Sequence, residues 1–425
     1  MGSPILNPKD FKVAIVGGGI GGLTTALCLS YHCPDINITV YEQAPVYKEI
    51  GAGIGIGVNA ARILHRIRVG DDANAISGDR NGTHRSMRRF DNGEEICQVE
   101  AMDEPKETNV RQLAVRIEDG GNEVQVHFQD GTSAKANLVI GADGIHSIIR
   151  SQFATDPPCF SGTIAYRGLL PLDAIAQSWP FPSYSVSWLG RGKHFLTFPI
   201  SKNKILNVVG FVSKPEEELG DLKESWTSTA DRGELEAEYE GWDPSLLAVI
   251  RNMDQTVGKW RINDRDLLKQ WVYLDGKAVL LGDAAHAMLP HQGSGAGYAI
   301  EDAYILGLAL KDFFAANAAP PLNEPGSSVM VSAPRLGNSF QDRKSLSTWM
   351  QVYQLVRLPR AQKSQIASRE SGNLRAMQGS DFEGLSYEEC LPVVREKLKG
   401  RMKSVWGADI GADYEALVKK TGLRG

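Results

Sequence analysis

Apolar positions along the chain fall into two kinds of strand pattern. Short uninterrupted runs that end in glycine, "VAIV" at 13–16, "LVIG" at 138–141 and "AVLLG" at 278–282, predict strands buried on both faces. The first runs into helical spacing, "GGLTTALCL", and a further strand, "INITVYEQA", follows it, the order of a βαβ unit. Between about 160 and 212 the pattern changes to alternation, in "GTIAYRGLL", "YSVSWLG", "HFLTFPI" and "KILNVVGFV", which predicts a mostly antiparallel sheet. "RRFDNGEEICQV" predicts two short strands around an Asp91-Asn92-Gly93 turn, and "EVQVHFQDGTSAKA" a strand entering an Asp130-Gly131 turn. Helical spacing is expected from about Val58, over a charged stretch from about Pro215 to Met253, and from near Ala296. Residues 317–340, rich in Pro, Gly, Ser and Asn, read as a flexible loop, and "STWMQVYQLVRLPRAQKSQIA" as a helix packing on the body. The class is α/β: a Rossmann-like domain interleaved with an antiparallel-sheet domain, followed by C-terminal helices.

Composition narrows the partners. The 425 residues, 42% hydrophobic and 23% charged, suit two or three domains. A net charge of −5 and the lack of any basic run with interleaved aromatics give no case for nucleic acid. Five scattered cysteines without C-x-x-C spacing read as free thiols in a reducing compartment. No stretch is apolar enough to span a membrane, and the N-terminus does not resemble a secretion signal, so a cytoplasmic protein is expected. His286 and His291, with a proline between them, are poorly arranged as ligands, and no metal is expected.

Candidate chemistry begins at Gly17, Gly19 and Gly22, which fit G-x-G-x-x-G. The first glycine turns the chain, the second lets backbone approach a pyrophosphate, and the third lets helix pack on strand. The helix N-terminus then presents unpaired N–H groups to the phosphates. Glu42, at the end of the second strand, stands where an acid accepts hydrogen bonds from an adenosine ribose. Two further strands end in acids, Asp143 in "GADG" and Asp283 in "LLGDAAH". Asp283 suits a polyol such as a ribityl chain, which NAD lacks. Gly295 and Ala296 open the long helix, whose positive end suits the negative charge of a reduced flavin.

Taken together, the fingerprint, "GADGIHS" and "GDAAHAMLPHQGSGAG" resemble the single-component flavoprotein aromatic hydroxylases, over the chain from Phe11 to about Leu310. Within that family the segments "GAGIGIGVNAARIL", "FSGTIAYRGLL" and "HFLTFPI" most resemble salicylate hydroxylases. The resemblance implies FAD as cofactor and NADH or NADPH as co-substrate. It also implies that molecular oxygen and a small phenolic acid are the reactants, with oxygen transferred from a C4a-hydroperoxyflavin. Salicylate, going to catechol with loss of carbon dioxide, is the first expectation. Another phenolic or heteroaromatic substrate without decarboxylation, or a non-catalytic flavin-binding protein, stays open. A two-nucleotide reductase would need a second fingerprint, and "WLGRGKHF" lacks the following helix.

The resemblance assigns an FAD-binding domain to 10–80, 110–158 and 273–316, and a substrate-binding sheet domain to 81–109 and 159–272. Residues 341–425 form the helical C-terminal region. It also places His194 on a strand facing the flavin and Pro290 beside the flavin ring. On the residues alone, His194 is either a group acting on the phenol or an edge histidine. Arg167 either holds a substrate acid or pairs with an internal one. Arg62 reaches the cleft or lies on a solvated face, and Asp143 braces the junction near the pyrophosphate. One departure stands out: "EPKETNVRQLAVRIEDGG" runs into its strand without the basic-motif helix that family members carry there, near residues 105–112. His84-Arg85 imitates that motif but precedes the hairpin. The sequence leaves monomer and homodimer equally open.

Overall fold

The computed structural model describes residues 7–44, 55–74, 83–100, 114–220, 222, 228–318 and 342–424. All but the first two residues of the expected loop at 317–340, and the departure near 105–112, lie outside them. The chain enters β1 (Lys12–Val16), crosses through α1 (Ile20–His32) and returns in β2 (Asn37–Tyr41). After α2 (Val58–Arg66) and α3 (Gly70–Asn74) it forms the hairpin β3 (Thr83–Arg89) and β4 (Glu95–Glu100). A small meander, β5 (Ala114–Asp119), β6 (Val124–Phe128) and β7 (Ser133–Ala136), leads into β8 (Leu138–Gly141) and the short α4 (Ile148–Ser151). Next come β9 (Cys159–Pro171), β10 (Val186–Gly190), β11 (Lys193–Ile200), β12 (Ile205–Ser213) and β13 (Thr229–Asp231). Helices α5 (Arg232–Glu238) and α6 (Pro244–Arg251) precede β14 (Thr256–Asp264), β15 (Val272–Tyr273) and β16 (Ala278–Leu280). The chain ends in α7 (Asp283–His286), α8 (Gly295–Asn317), α9 (Leu346–Arg375), α10 (Tyr387–Leu398), α11 (Lys403–Trp406) and α12 (Ile410–Thr421).

The uninterrupted apolar runs become the middle of a five-stranded sheet ordered β15-β16-β8-β1-β2. Its β2, β1, β8 and β16 are parallel, with Ile15 opposite both Val40 and Ile140. Helices α1 and α8 pack together on this layer, and the meander contacts β1 and β8. Such strands have no wet face, which is why their sequences do not alternate. The alternating segments form a second sheet, ordered β13-β14-β9-β12-β11-β10-β3-β4. On its outer face Tyr166, Trp188, Phe195 and Val208 form one core with Leu246 and Val249 of α6. On its inner face Ala165, Phe211, Trp260 and Ile262 meet Leu289 from the turn that precedes α8.

The large sheet is mostly antiparallel, as expected, with one parallel pairing, β10 on β3. One local expectation changes. The stretch expected as helical from Pro215 contains the edge strand β13, paired antiparallel with β14, before α5 and α6. Partners distant in sequence create both pairings, and local periodicity carries no trace of them. Asp231 and Asp243 set the helix starts by accepting from the backbone N–H of Gly233 and Ser245. Among the described residues no helix is long and apolar enough to cross a membrane.

Candidate active site

The glycine turn between β1 and α1 is packed against β8. Gly17 has φ +107°, and a Cβ there would lie 2.3 Å from the Ala142 carbonyl oxygen. A Cβ on Gly22 would lie 1.9 Å from the Gly17 oxygen, so neither position admits a side chain. Gly19 differs: a Cβ there meets nothing within 4 Å. The turn therefore has two glycines enforced by packing and a third facing open space at the helix N-terminus, where a phosphate group fits. At the end of β2 the half-buried Glu42 carboxylate accepts from Gly18 N at 2.6 Å and Ala44 N at 2.7 Å. Each oxygen keeps acceptor capacity for a ribose hydroxyl.

The acids ending β8 and β16 behave differently. Asp143 accepts from Ser147 Oγ at 2.5 Å and from the N–H groups of Ile148 and Ile149 at 2.7 and 3.1 Å. It holds the start of α4 in place, and burial pushes its pKa up. Asp283 is solvent-exposed, and its carboxylate accepts no hydrogen bond from the described residues. Surrounding protein mass raises its pKa, opposed by His286 and reinforced by Asp302. Its carboxylate is therefore accessible and keeps its acceptor capacity beside the start of α8. Pro290 is exposed nearby in sequence, opening a 3-10 turn that ends at Gly293 with φ +61°. Gly295 and Ala296 start α8, where a Cβ on Gly295 would lie 4.0 Å from Asp283 Oδ1. Arg62 lies apart: it is exposed and donates to the Trp406 carbonyl at 3.4 Å.

Residues that sequence reasoning missed hold these loops. Buried Arg150 donates to the carbonyls of Ala284 and Ala285 at 3.1 and 3.2 Å and pairs with Asp156. Arg265 donates to the Ile145 carbonyl at 2.8 Å, so one pair of arginines ties both acid-bearing loops together. Behind the Asp283 turn, Asp302 accepts from Gly282 N at 3.0 Å, His286 Nε2 at 2.6 Å and Arg357 Nε at 2.8 Å. Neighbouring Glu301 accepts from Arg357 at 2.5 Å, from Arg360 and from Asn59 at 2.7 Å. Arg357 sits on a helix read only as packing, and no local spacing marks it as the partner of these acids.

The inner face of the large sheet carries the second half of the site. Register places His194 opposite Leu189 and Phe211, while Leu196 lies opposite Ser187 and Val209, and Val209 opposite Arg167. His194, Ser187 and Arg167 therefore project on one face among Leu196, Val209 and Phe211. His194 is 2% exposed and stacks on Phe211 with ring centroids 4.4 Å apart. His291, which follows Pro290, lies 5.4 Å from it. Together they line a cavity of about 30 Å³, enough for about one water molecule. Both nitrogens of His194, Nδ1 of His291, Nε of Arg167 and Oγ of Ser187 are buried without a hydrogen-bond partner among the described residues, while Nη2 of Arg167 donates to Asn207 Oδ1 at 3.3 Å. An unmet buried polar group costs about 1–3 kcal/mol, so this concentration on one face marks a place that a polar ligand completes. Burial, with the nearby cations, keeps His194 well below the ordinary imidazole value, and His291 falls to about 3. Both imidazoles are neutral proton acceptors, and burial lowers Arg167 to about 10, leaving it cationic at neutral pH.

Residues 106–324 match the FAD binding domain family. The chain is 30% identical to a salicylate hydroxylase of Pseudomonas putida, over 96% of this chain and 94% of the relative. It belongs to the FAD-dependent aromatic monooxygenases. A 3-amino-4-hydroxybenzoate 2-monooxygenase of Streptomyces platensis is 33% identical, over 69% of this chain and 78% of the relative. A solved salicylate hydroxylase substrate complex superposes with a TM-score of 0.74 at 26% identity, covering 95% of this chain and 97% of that one. The cofactor of this monooxygenase is FAD, and the chain fits it on independent grounds: the open space at Gly19 and the unbonded carboxylate of Asp283. Asp283→Ala is expected to weaken FAD binding by about 1.5–3 kcal/mol, the range for a hydrogen bond to a charged group. Titrating the apoprotein with FAD and following flavin fluorescence checks this, and an unchanged dissociation constant removes Asp283 from the site.

Proposed function

We propose that this monooxygenase hydroxylates a small phenolic aromatic acid with NADH or NADPH as co-substrate, and that salicylate is converted to catechol with loss of carbon dioxide. The single observation carrying this reading is the set of polar atoms without a partner among the described residues, on Arg167, Ser187 and His194 of one sheet face and on His291 of the turn packed against it. In this reading the Gly17-Gly19-Gly22 turn and the start of α1 take the pyrophosphate, and Glu42 the ribose. Asp283 takes the polyol, while Pro290, Gly295 and Ala296 border the flavin ring. When bound, FAD accepts a hydride from the nicotinamide and activates molecular oxygen.

The side chains of this sheet face prepare the ring. His194, held neutral, accepts the phenol proton, and the resulting phenolate makes its ortho and para carbons nucleophilic. Arg167 supplies positive charge on the same face and favours the phenolate. Leu196, Val209 and Phe211 exclude water from the reacting carbon. In salicylate one ortho carbon bears the carboxylate. Oxygen added there leads to loss of carbon dioxide as the ring regains aromaticity. Supplying salicylate, NADH and oxygen to the FAD-loaded protein and identifying the product tests the reading. Catechol supports it, a dihydroxybenzoate keeps the hydroxylase without decarboxylation, and NADH oxidation unaffected by salicylate rejects this substrate.

A further inference from the structure

Helix α9 joins the two sheets of the molecule. In its first half Tyr353 Oη donates to the Leu280 carbonyl at the end of β16, at 2.8 Å. Just past its end the Ala376 carbonyl accepts from Gly192 N, between β10 and β11, at 2.8 Å. Between these anchors α9 lies against the segment 287–292, which holds Pro290 and His291. Ser364, Ser368 and Gly372 recur every four residues, with Gln365 beside Ser364, so they share one face of the helix.

That face holds the segment nearly residue by residue. Gln365 Nε2 donates to the carbonyls of Ala287 and Arg265 at 3.1 and 3.3 Å. Ser364 Oγ lies 3.6 Å from Met288 Sδ and 3.3 Å from Gln292 Oε1. Ser368 Oγ donates to the Leu289 carbonyl at 2.6 Å. Gly372 packs so tightly on His291 that a Cβ there would lie 2.6 Å from the ring. Pro290, between the gripped residues, is exposed. Ser364, Gln365 and Ser368 are buried, and burying polar groups is costly unless they are bonded. What their bonds add is a fixed distance and direction, which apolar contact does not supply. The segment so held carries Leu289 into the core with Phe211, and His291 to 5.1 Å from the Phe211 ring and 5.4 Å from His194.

We infer that α9 fixes the 287–292 turn against the flavin ring, with Ser368 and Gln365 as positioning residues, a role that rests on the proposed place of Pro290 beside that ring. Both act through backbone carbonyls of the turn. Ser368 carries the larger share. Without Gln365 the Ala287 carbonyl still accepts from Arg265 N, at 3.4 Å, whereas without Ser368 the Leu289 carbonyl loses its 2.6 Å donor. A buried carbonyl deprived of its donor shifts toward another donor or toward water. A shift of about 1 Å at a reacting centre costs about 10²-fold in rate.

The test compares Ser368→Ala with Ser371→Ala in the FAD-loaded protein without an aromatic substrate. Ser371 is equally buried on the same helix, but its Oγ accepts from Arg401 Nε at 2.9 Å and, among the described residues, makes no bond to the turn. Each variant loses one buried hydrogen bond, so a purely structural role predicts the same effect from both. Ser368→Ala is expected to shift the visible absorbance bands of bound FAD and raise its fluorescence, with FAD affinity kept. Ser371→Ala keeps the wild-type spectrum. With salicylate and NADH, Ser368→Ala lowers ring hydroxylation by about tenfold to 10²-fold at unchanged salicylate affinity, the oxygen appearing as hydrogen peroxide. The inference is overturned if Ser368→Ala keeps the wild-type flavin spectrum, if Ser371→Ala moves it as far, or, where the wild type hydroxylates salicylate, if Ser368→Ala does so at an unaltered rate. Pro290→Ala separates the causes. If it shifts the spectrum and Ser368→Ala does not, the helix has no positioning role; if neither does, the place of Pro290 beside the ring falls too. Salicylate that leaves wild-type NADH oxidation unchanged overturns the proposed substrate, and the flavin spectra still judge Ser368.

Discussion

Arg357→Ala is expected to cost about 3–5 kcal/mol of folding stability, the range for removing one partner of a buried ion pair. Arg357, Glu301 and Asp302 have fully buried side chains, and the guanidinium bonds both carboxylates and the Tyr298 carbonyl. His286, Arg360 and Asn59 remain in the variant, but two acids would share less positive charge in a medium that screens poorly. Denaturant unfolding at neutral pH measures the effect as a lower midpoint with unchanged slope. A loss below about 1 kcal/mol would show that the remaining donors suffice.

The same network sets the acid limb of stability. Burial alone would raise the carboxyls of Glu301 and Asp302, but for Glu301 the arginines, and for Asp302 His286 and Arg357, outweigh it and hold them below the ordinary range. Groups depressed in the folded state stabilise above the unfolded value, about 4, and that contribution is lost as pH falls through the folded values. In Arg357→Ala the two acids take up protons more readily, so stability begins to fall at a higher pH than in the wild type. Because Asp302 also holds Gly282, next to Asp283, FAD affinity should fall with stability.

His194→Ala is expected to lower the rate of ring hydroxylation by about 10²–10⁴-fold, the contribution of a positioned acid or base. NADH oxidation continues in the variant, and the oxygen consumed appears as hydrogen peroxide. Hydride transfer involves the nicotinamide and FAD, whereas transfer to the ring also requires the phenol to be activated. Comparing NADH consumed, peroxide formed and phenol hydroxylated separates these outcomes, and unaltered stoichiometry would drop His194 from the mechanism. The pH profile gives a second check. Burial, with His291, Arg375 and Arg85, depresses His194 far below the ordinary imidazole value, so the base stays deprotonated across the neutral range. No acid limb near pH 6.5, the ordinary imidazole value, should arise from this residue.

The cofactor half of the site was legible in the chain because its signals are local. A strand, a glycine turn and a helix follow one another within 10–32, and Gly17 and Gly22 need no side chain for reasons of packing a few residues apart. Acids at the ends of β2, β8 and β16 lie at one edge of a parallel sheet by topology alone. The sequence already set Asp143 apart as a brace and Asp283 as an acceptor for a polyol; in the structure the oxygens of Asp143 are spent on α4, whereas those of Asp283 accept nothing from the described residues. The substrate half depended on distance. Strand alternation placed His194 and Arg167 on strands, but only register put both on the inner face. His291 and Arg357 come from segments that local spacing reads as turn or packing helix. A run of residues determines its own periodicity and turns, since those depend on neighbours in the chain. Which buried charge meets an acid is decided by the packing of segments far apart in sequence: Arg357 finds Glu301 and Asp302, 56 and 55 residues earlier in the chain.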